Sequence, residues 1–205
     1  MEIKDNANIV IVGAWNINII KPAWFAKQFP QLKIGKEVSI EMEMNTGAFR
    51  FQVQKIKINP NPNKLVFFSD VDENENYDLM SEIATETVNK LQHTPIIAIG
   101  HNISFFTDNT FVLFENDELN NYEEFYKKTA STVAFNSQEI KHSLAYENYI
   151  LNLTYNINRQ KGFIKFNYNY ATSNYEKVME YIKDFRKNIE NSKTIFNKLV
   201  KNNAS

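Results

Sequence analysis

Tyr149, Leu151, Leu153, Tyr155 and Ile157 alternate with polar Asn148, Asn152, Thr154 and Asn156. After Arg159-Gln160-Lys161-Gly162, Ile164, Phe166, Tyr168 and Tyr170 alternate back against Lys165, Asn167 and Asn169. Two period-two runs joined by a short polar turn specify an antiparallel hairpin with one apolar face. That face has to be covered. The next segment can cover it: Ser173 and Glu176 have the spacing of a helix start, and Tyr175, Val178, Met179, Ile182, Phe185, Ile189, Phe196 and Leu199 form one stripe of a long helix.

The same logic runs through the first half. Ile9 to Ile20 reads as a strand bending at Gly13, and Pro22 opens a short helix that Pro30 ends. From Val38, Ile40, Met42 and Met44 alternate with Glu41 and Glu43, Thr46-Gly47 turns, and Phe49, Phe51 and Val53 resume. The apolar phase then shifts to Ile56 and Ile58, as a β-bulge would shift it. Asn59 to Asn63 reads as a turn and Leu65 to Phe68 as a strand. Asp72 and Glu75 fit a capping box for a helix whose face is Tyr77, Met80, Ile83, Ala84, Thr87, Val88 and Leu91, stopped at Thr94-Pro95. A strand from Ile96 to about Phe106 follows, then a turn at Asp108-Asn109, a short strand at Phe111–Phe114 and a helix from about Tyr122 to Ala130.

The two halves also echo one another. Ile9-Val10-Ile11-Val12-Gly13-Ala14-Trp15-Asn16-Ile17-Asn18-Ile19-Ile20 returns as Ile96-Ile97-Ala98-Ile99-Gly100-His101-Asn102-Ile103-Ser104-Phe105-Phe106, with one extra residue in the first copy. Self-similarity of this kind suggests duplication. The expected fold is α+β, with two pseudo-repeated strand-helix-strand-strand-helix halves, residues 1–94 and 95–205, packed as one unit. The halves would form mostly antiparallel sheet with the long helices on one face.

Composition bounds the function. With 23 basic and 24 acidic side chains the formal charge is -1, which removes the electrostatic case for a dedicated nucleic-acid binder. The chain has no cysteine, hence no disulfide, thiolate metal site or cysteine nucleophile. The N-terminus lacks the basic-then-apolar pattern of a secretory signal, and no run approaches the ~20 apolar residues of a membrane span. A soluble cytoplasmic protein is expected.

If the echo is a duplication, it places Trp15-Asn16 and His101-Asn102 at equivalent positions. Their stacking face and amides could then converge on a ligand between the halves. The competing reading is that the asparagines bond nearby backbone and Trp15 packs in the core. His93, His101 and His142 lack metal-ligand spacing, so no metal and no cofactor are expected. His101 is the best candidate for a general base. Asp70 to Glu75 begins like a calcium loop, but Glu75 occupies the sharp-turn glycine position and Ser81 the twelfth position. The aromatics of the last hairpin, with Arg159, Lys161 and Lys165, could stack single-stranded nucleic acid, although their alternation suits a core face better.

Two function classes follow. One is an interaction or small-ligand-binding protein, self-associating into a homo-oligomer and not an enzyme. The alternative is a hydrolase or RNA-processing enzyme using His101 at the interface of the halves.

Overall fold

The computed structural model describes residues 7–32, 39–42, 49–107, 137–158 and 162–199. Among them, nine strands form one sheet whose pairings are all antiparallel, accompanied by four α-helices. In chain order these are β1 (Asn8–Gly13), α1 (Pro22–Gln28), β2 (Ile40–Met42), β3 (Phe49–Val53), β4 (Ile56–Asn61), β5 (Lys64–Phe68) and α2 (Asn74–Lys90). There follow β6 (Ile96–Thr107), β7 (Ser137–Ala145), β8 (Ile150–Asn158), β9 (Gly162–Ala171), α3 (Tyr175–Lys183) and α4 (Phe185–Leu199). The strand order is β2-β3-β4-β5-β1-β6-β9-β8-β7. The chain is α+β, as its alternating segments predict.

β1 and β6 are adjacent at the middle of this order, with Ile11 opposite Ile99 and Ile9 opposite His101. Ile9, Ile11, Ile99, Ile103, Phe105, Ile164, Phe166, Tyr168 and Tyr170 are buried, as strict alternation requires of a face that must lose water. Phe105 stacks on Phe196 of α4 at 4.9 Å between ring centroids, and Tyr170 on Tyr181 of α3 at 4.4 Å. Phe25 of α1 meets Phe51 of β3 edge-on at 5.4 Å.

Several local expectations are corrected. β1 ends at Gly13, where its register with β6 shifts, and does not continue to Ile20. The chain is instead tied to its neighbours: the Gly13 N–H donates to Asn63 O, Ala14 N–H to Pro95 O and Trp15 N–H to Pro62 O. The phase shift after Val53 is a hairpin and not a bulge. Val53 pairs directly with Ile56 across the two-residue loop Gln54-Lys55, with Gln54 at φ 53° and its side-chain amide donating to Leu32 O at 2.9 Å. The proline-asparagine turn shrinks to Pro62-Asn63, because Asn59, Pro60 and Asn61 pair with β5. Pro60 lies past the last β3 partner, so its missing N–H takes no ladder bond from that side.

Neither expected helix cap forms as its spacing suggested. Asp72 accepts the Tyr77 hydroxyl at 2.7 Å, and Glu73 occupies the N-cap of α2 without a side-chain cap. At α3 the cap is Asn174, whose Oδ1 accepts the Lys177 N–H at 3.0 Å, in place of Ser173. The long final helix is interrupted at Asp184, whose N–H still reaches Glu180 O and Tyr181 O.

β7 has no counterpart among the elements expected from sequence. Its sequence, Ser-Gln-Glu-Ile-Lys-His-Ser-Leu-Ala, carries little apolar alternation. The physical reason is position: β7 is the last strand in the order, and from Glu139 to Ala145 only Ile140 is better than exposed. The expected turns at Thr46-Gly47 and Asp108-Asn109, the strand at Phe111–Phe114 and the helix from Tyr122 to Ala130 lie outside the described residues, as do Val38, Glu43 and Met44.

The two echo glycines occupy different environments. Gly13 closes β1 on the face that carries Ile9 and Ile11, whereas Gly100 lies mid-strand opposite Val10, on the other face of β6 from Ile99 and His101. A Cβ at Gly13 would meet the Pro95 carbonyl oxygen at 2.5 Å, while at Gly100 the nearest atom is Val10 Cβ at 3.7 Å. Gly13→Ala should therefore destabilise by about 1–3 kcal/mol, because a backbone atom must move. Gly100→Ala should be near neutral. Urea denaturation of the two variants checks this, and equal midpoints would refute the steric distinction.

Candidate functional site

The four residues singled out from sequence do not form one site. Trp15 is buried, and its Nε1 donates to Ile11 O at 3.0 Å, so its polar atom serves the strand from which it emerges. Asn16 is exposed, and its Oδ1 accepts the Asn18 N–H at 3.1 Å in a local turn. His101 points into the core opposite Ile9, and Asn102, its neighbour on a pleated strand, points the other way. The structure brings Trp15-Asn16 to the end of β1 and His101-Asn102 to the middle of β6.

His101 is fully buried and does not line an open cleft. Its Nδ1 is 2.9 Å from Asn188 Nδ2 of α4, and the same amide nitrogen donates to the Tyr170 hydroxyl at 2.6 Å. An amide donor makes Nδ1 the acceptor, which assigns the ring proton to Nε2. Nε2 has no hydrogen-bond partner among the described residues; the Phe185 ring stands edge-on at 5.1 Å between centroids. Beside this group, Tyr168 shares a hydrogen bond with Ser192 at 3.0 Å and donates to Asn188 O at 3.3 Å. Desolvation pushes the His101 pKa down from 6.5 to about 3. The ring is a neutral core group tying β6 to α4. Its basicity is too low, and its surroundings too closed, for general-base work near pH 7.

The opposite side of the sheet carries a feature that sequence reasoning found only in part. Asn8, Asn102, Asn167, Asn152 and Ser143 are successive cross-strand partners on β1, β6, β9, β8 and β7. Asn102 Nδ2 donates to Asn8 Oδ1 at 2.9 Å, Asn167 Nδ2 to Asn102 Oδ1 at 2.9 Å and Asn152 Nδ2 to Asn167 Oδ1 at 3.1 Å. Ser143 Oγ donates to Asn152 Oδ1 at 2.9 Å. Every bond donates in the same sense, towards β1, so the side-chain dipoles add along the row. Asn102, Asn152 and Asn167 each keep a second amide N–H and a second carbonyl lone pair beyond the ladder. The row next to it on the same face contains Ser104, Lys165, Thr154 and Lys141. Chemically this is a hydrogen-bonding face whose amides can each donate and accept. The echo points to Asn102, and the polar alternation of Asn152 and Asn167 is the sequence signal for the others.

The calcium-like loop is otherwise engaged. Asp70 pairs with Lys57 at 2.6 Å and Glu73 with Lys55 at 3.2 Å. Among the described residues, no group of three or more His, Asp or Glu side chains could hold a metal ion. No described helix is long and apolar enough to cross a membrane. Of the aromatics weighed as a stacking platform, Tyr155, Phe166, Tyr168 and Tyr170 are buried, so they form a core face. Comparison of the chain with protein-family models, curated proteins and solved structures found no match.

Proposed function

We propose that this protein is a non-catalytic interaction protein that self-associates through the rim of its sheet. The observation that carries this reading is β7. It is nine residues long, it is the terminal strand of the described order, and its outer backbone edge has no strand beside it among the described residues. Such an edge presents a row of peptide donors and acceptors to any extended chain of matching register. Two apolar side chains near it are exposed, Leu144 at 41% on the core side of the sheet and Ile150 at 43% on the amide side. The amide row ends at Ser143 on this same strand, so the polar face and the open edge adjoin.

A duplicated architecture belongs to the same reading. Outward from β1 come β5, β4, β3 and an extra β2; outward from β6 come β9, β8 and β7. This order supports two related halves meeting at the β1–β6 pair, with α2 following the first and α3–α4 the second on a common face. The equivalence would rest on element order and not on the glycine echo. The histidine-based enzyme alternative would need the His101 ring opened to water, against the burial that keeps it neutral.

Light scattering on the full chain at tens of micromolar should give a mass above that of the 24.0 kDa monomer. A monomeric mass throughout that range would refute self-association.

A further inference from the structure

We infer that two copies of this chain pair antiparallel through β7, about a twofold axis at Ile140. The inference rests on the self-association just proposed and names its edge, register and partner. The argument starts from charge. β7 contains two formally charged side chains, Glu139 and Lys141, flanking Ile140. Both are well exposed, at 49% and 69%, and they bond to each other along the strand at 2.7 Å.

An edge lysine ordinarily discourages strand addition, because a like strand brings a like charge. Here the outcome depends on register. A twofold axis at Ile140 sets Glu139 opposite Lys141 of the second copy, and Lys141 opposite its Glu139. Both strands then exchange an internal ion pair for two cross-strand pairs, and Ile140 meets its own counterpart. An axis one residue later opposes two lysines, and one residue earlier opposes two glutamates. Directly opposed like charges are destabilising on a sheet. An axis at His142 leaves both charges without an opposite partner. The Ile140 register is the one that pairs the strand's one carboxylate with its one lysine. It is also isologous, as closure into a dimer requires. Residues 137–143 of each copy overlap. The axis is perpendicular to the sheet, so buried faces continue into buried faces and the pleat of side chains is kept.

The test uses the full chain over a dilution series, followed by sedimentation or light scattering. E139K and K141E should each raise the dimer dissociation constant about tenfold, because each converts two attractive pairs into two repulsive ones. E139K/K141E should restore affinity to near that of the unaltered chain. Recovery in the double variant separates pairing from a loss of folding, and thermal melts of all three check that they fold. The chain has no cysteine, so I140C supplies a register probe. At the axis the two Cα atoms would be about 4.5–5.5 Å apart, within disulfide reach. Oxidised I140C should form a covalent dimer, and L144C, whose copies would lie about 27 Å apart at eight residues of strand rise, should not.

A dimer indifferent to both single charge variants, or linked by L144C in preference to I140C, overturns this register while leaving self-association standing. Exposed Ile40 and Met42 on β2, at the other end of the strand order, would then be the contact to probe. A chain that stays monomeric overturns both proposals together.

Discussion

Phe185→Ala should lower the unfolding free energy by about 3–5 kcal/mol, the range for removing a fully buried phenylalanine ring. For a chain of this length that corresponds to a fall of about 6–20 °C in melting temperature. Phe185 opens α4 directly after the interruption at Asp184, and none of its surface reaches solvent. Its ring meets Tyr77 of α2 edge-on at 5.8 Å and His101 of β6 at 5.1 Å, so one side chain joins two helices to the centre of the sheet. Truncation would leave a cavity that these elements cannot close without moving a helix relative to the strands. Phe185→Leu, which retains most of the volume, should recover the larger part of the loss. A melting temperature unchanged in Phe185→Ala would mean that α4 does not belong to the core.

Acidification should destabilise the protein through His101. The ring binds a proton with a pKa near 6.5 when unfolded and about 3 when folded, because burial excludes the charged form. Between these values the unfolded state holds more protons, so stability is complete above about pH 6.5 and is lost as pH falls towards 3. The slope from this one group is about 1.4 kcal/mol per pH unit, or about 2 kcal/mol by pH 5. The groups around the ring are Phe185 and Asn188 of α4 and Tyr170 of β9, and no charge among them offsets the desolvation. His101→Gln removes the titration and leaves an amide that Asn188 can still meet. Urea denaturation at pH 7.5, 6 and 5 should therefore give a shallower pH dependence for His101→Gln than for the unaltered chain. Parallel dependences would show that the ring gains access to water in the native state.

What the sequence determined by itself is the set of elements whose signal is local. The alternation from Tyr149 to Tyr170 specified β8 and β9, and the stripes Tyr77 to Val88 and Val178 to Phe196 specified the buried sides of the long helices, although Tyr175, expected in the second stripe, is exposed. Side-chain direction repeats every two residues in a strand and every 3.6 in a helix, so a face that must be dry writes itself into neighbouring residues. Tertiary structure decided the rest. β7 forms because β8 offers it an edge, and its exposed position leaves no apolar pattern to read. The amide row depends on registers between strands as distant as Asn8 and Asn102, 94 positions apart, and no local period encodes which asparagines will face one another. His101 was legible as buried, since it sits on an apolar strand, but its partner Asn188 comes from a helix 87 residues later. That long-range pairing makes the ring a structural acceptor and withdraws it from acid–base chemistry, because burial penalises charge according to three-dimensional surroundings and not according to sequence neighbours.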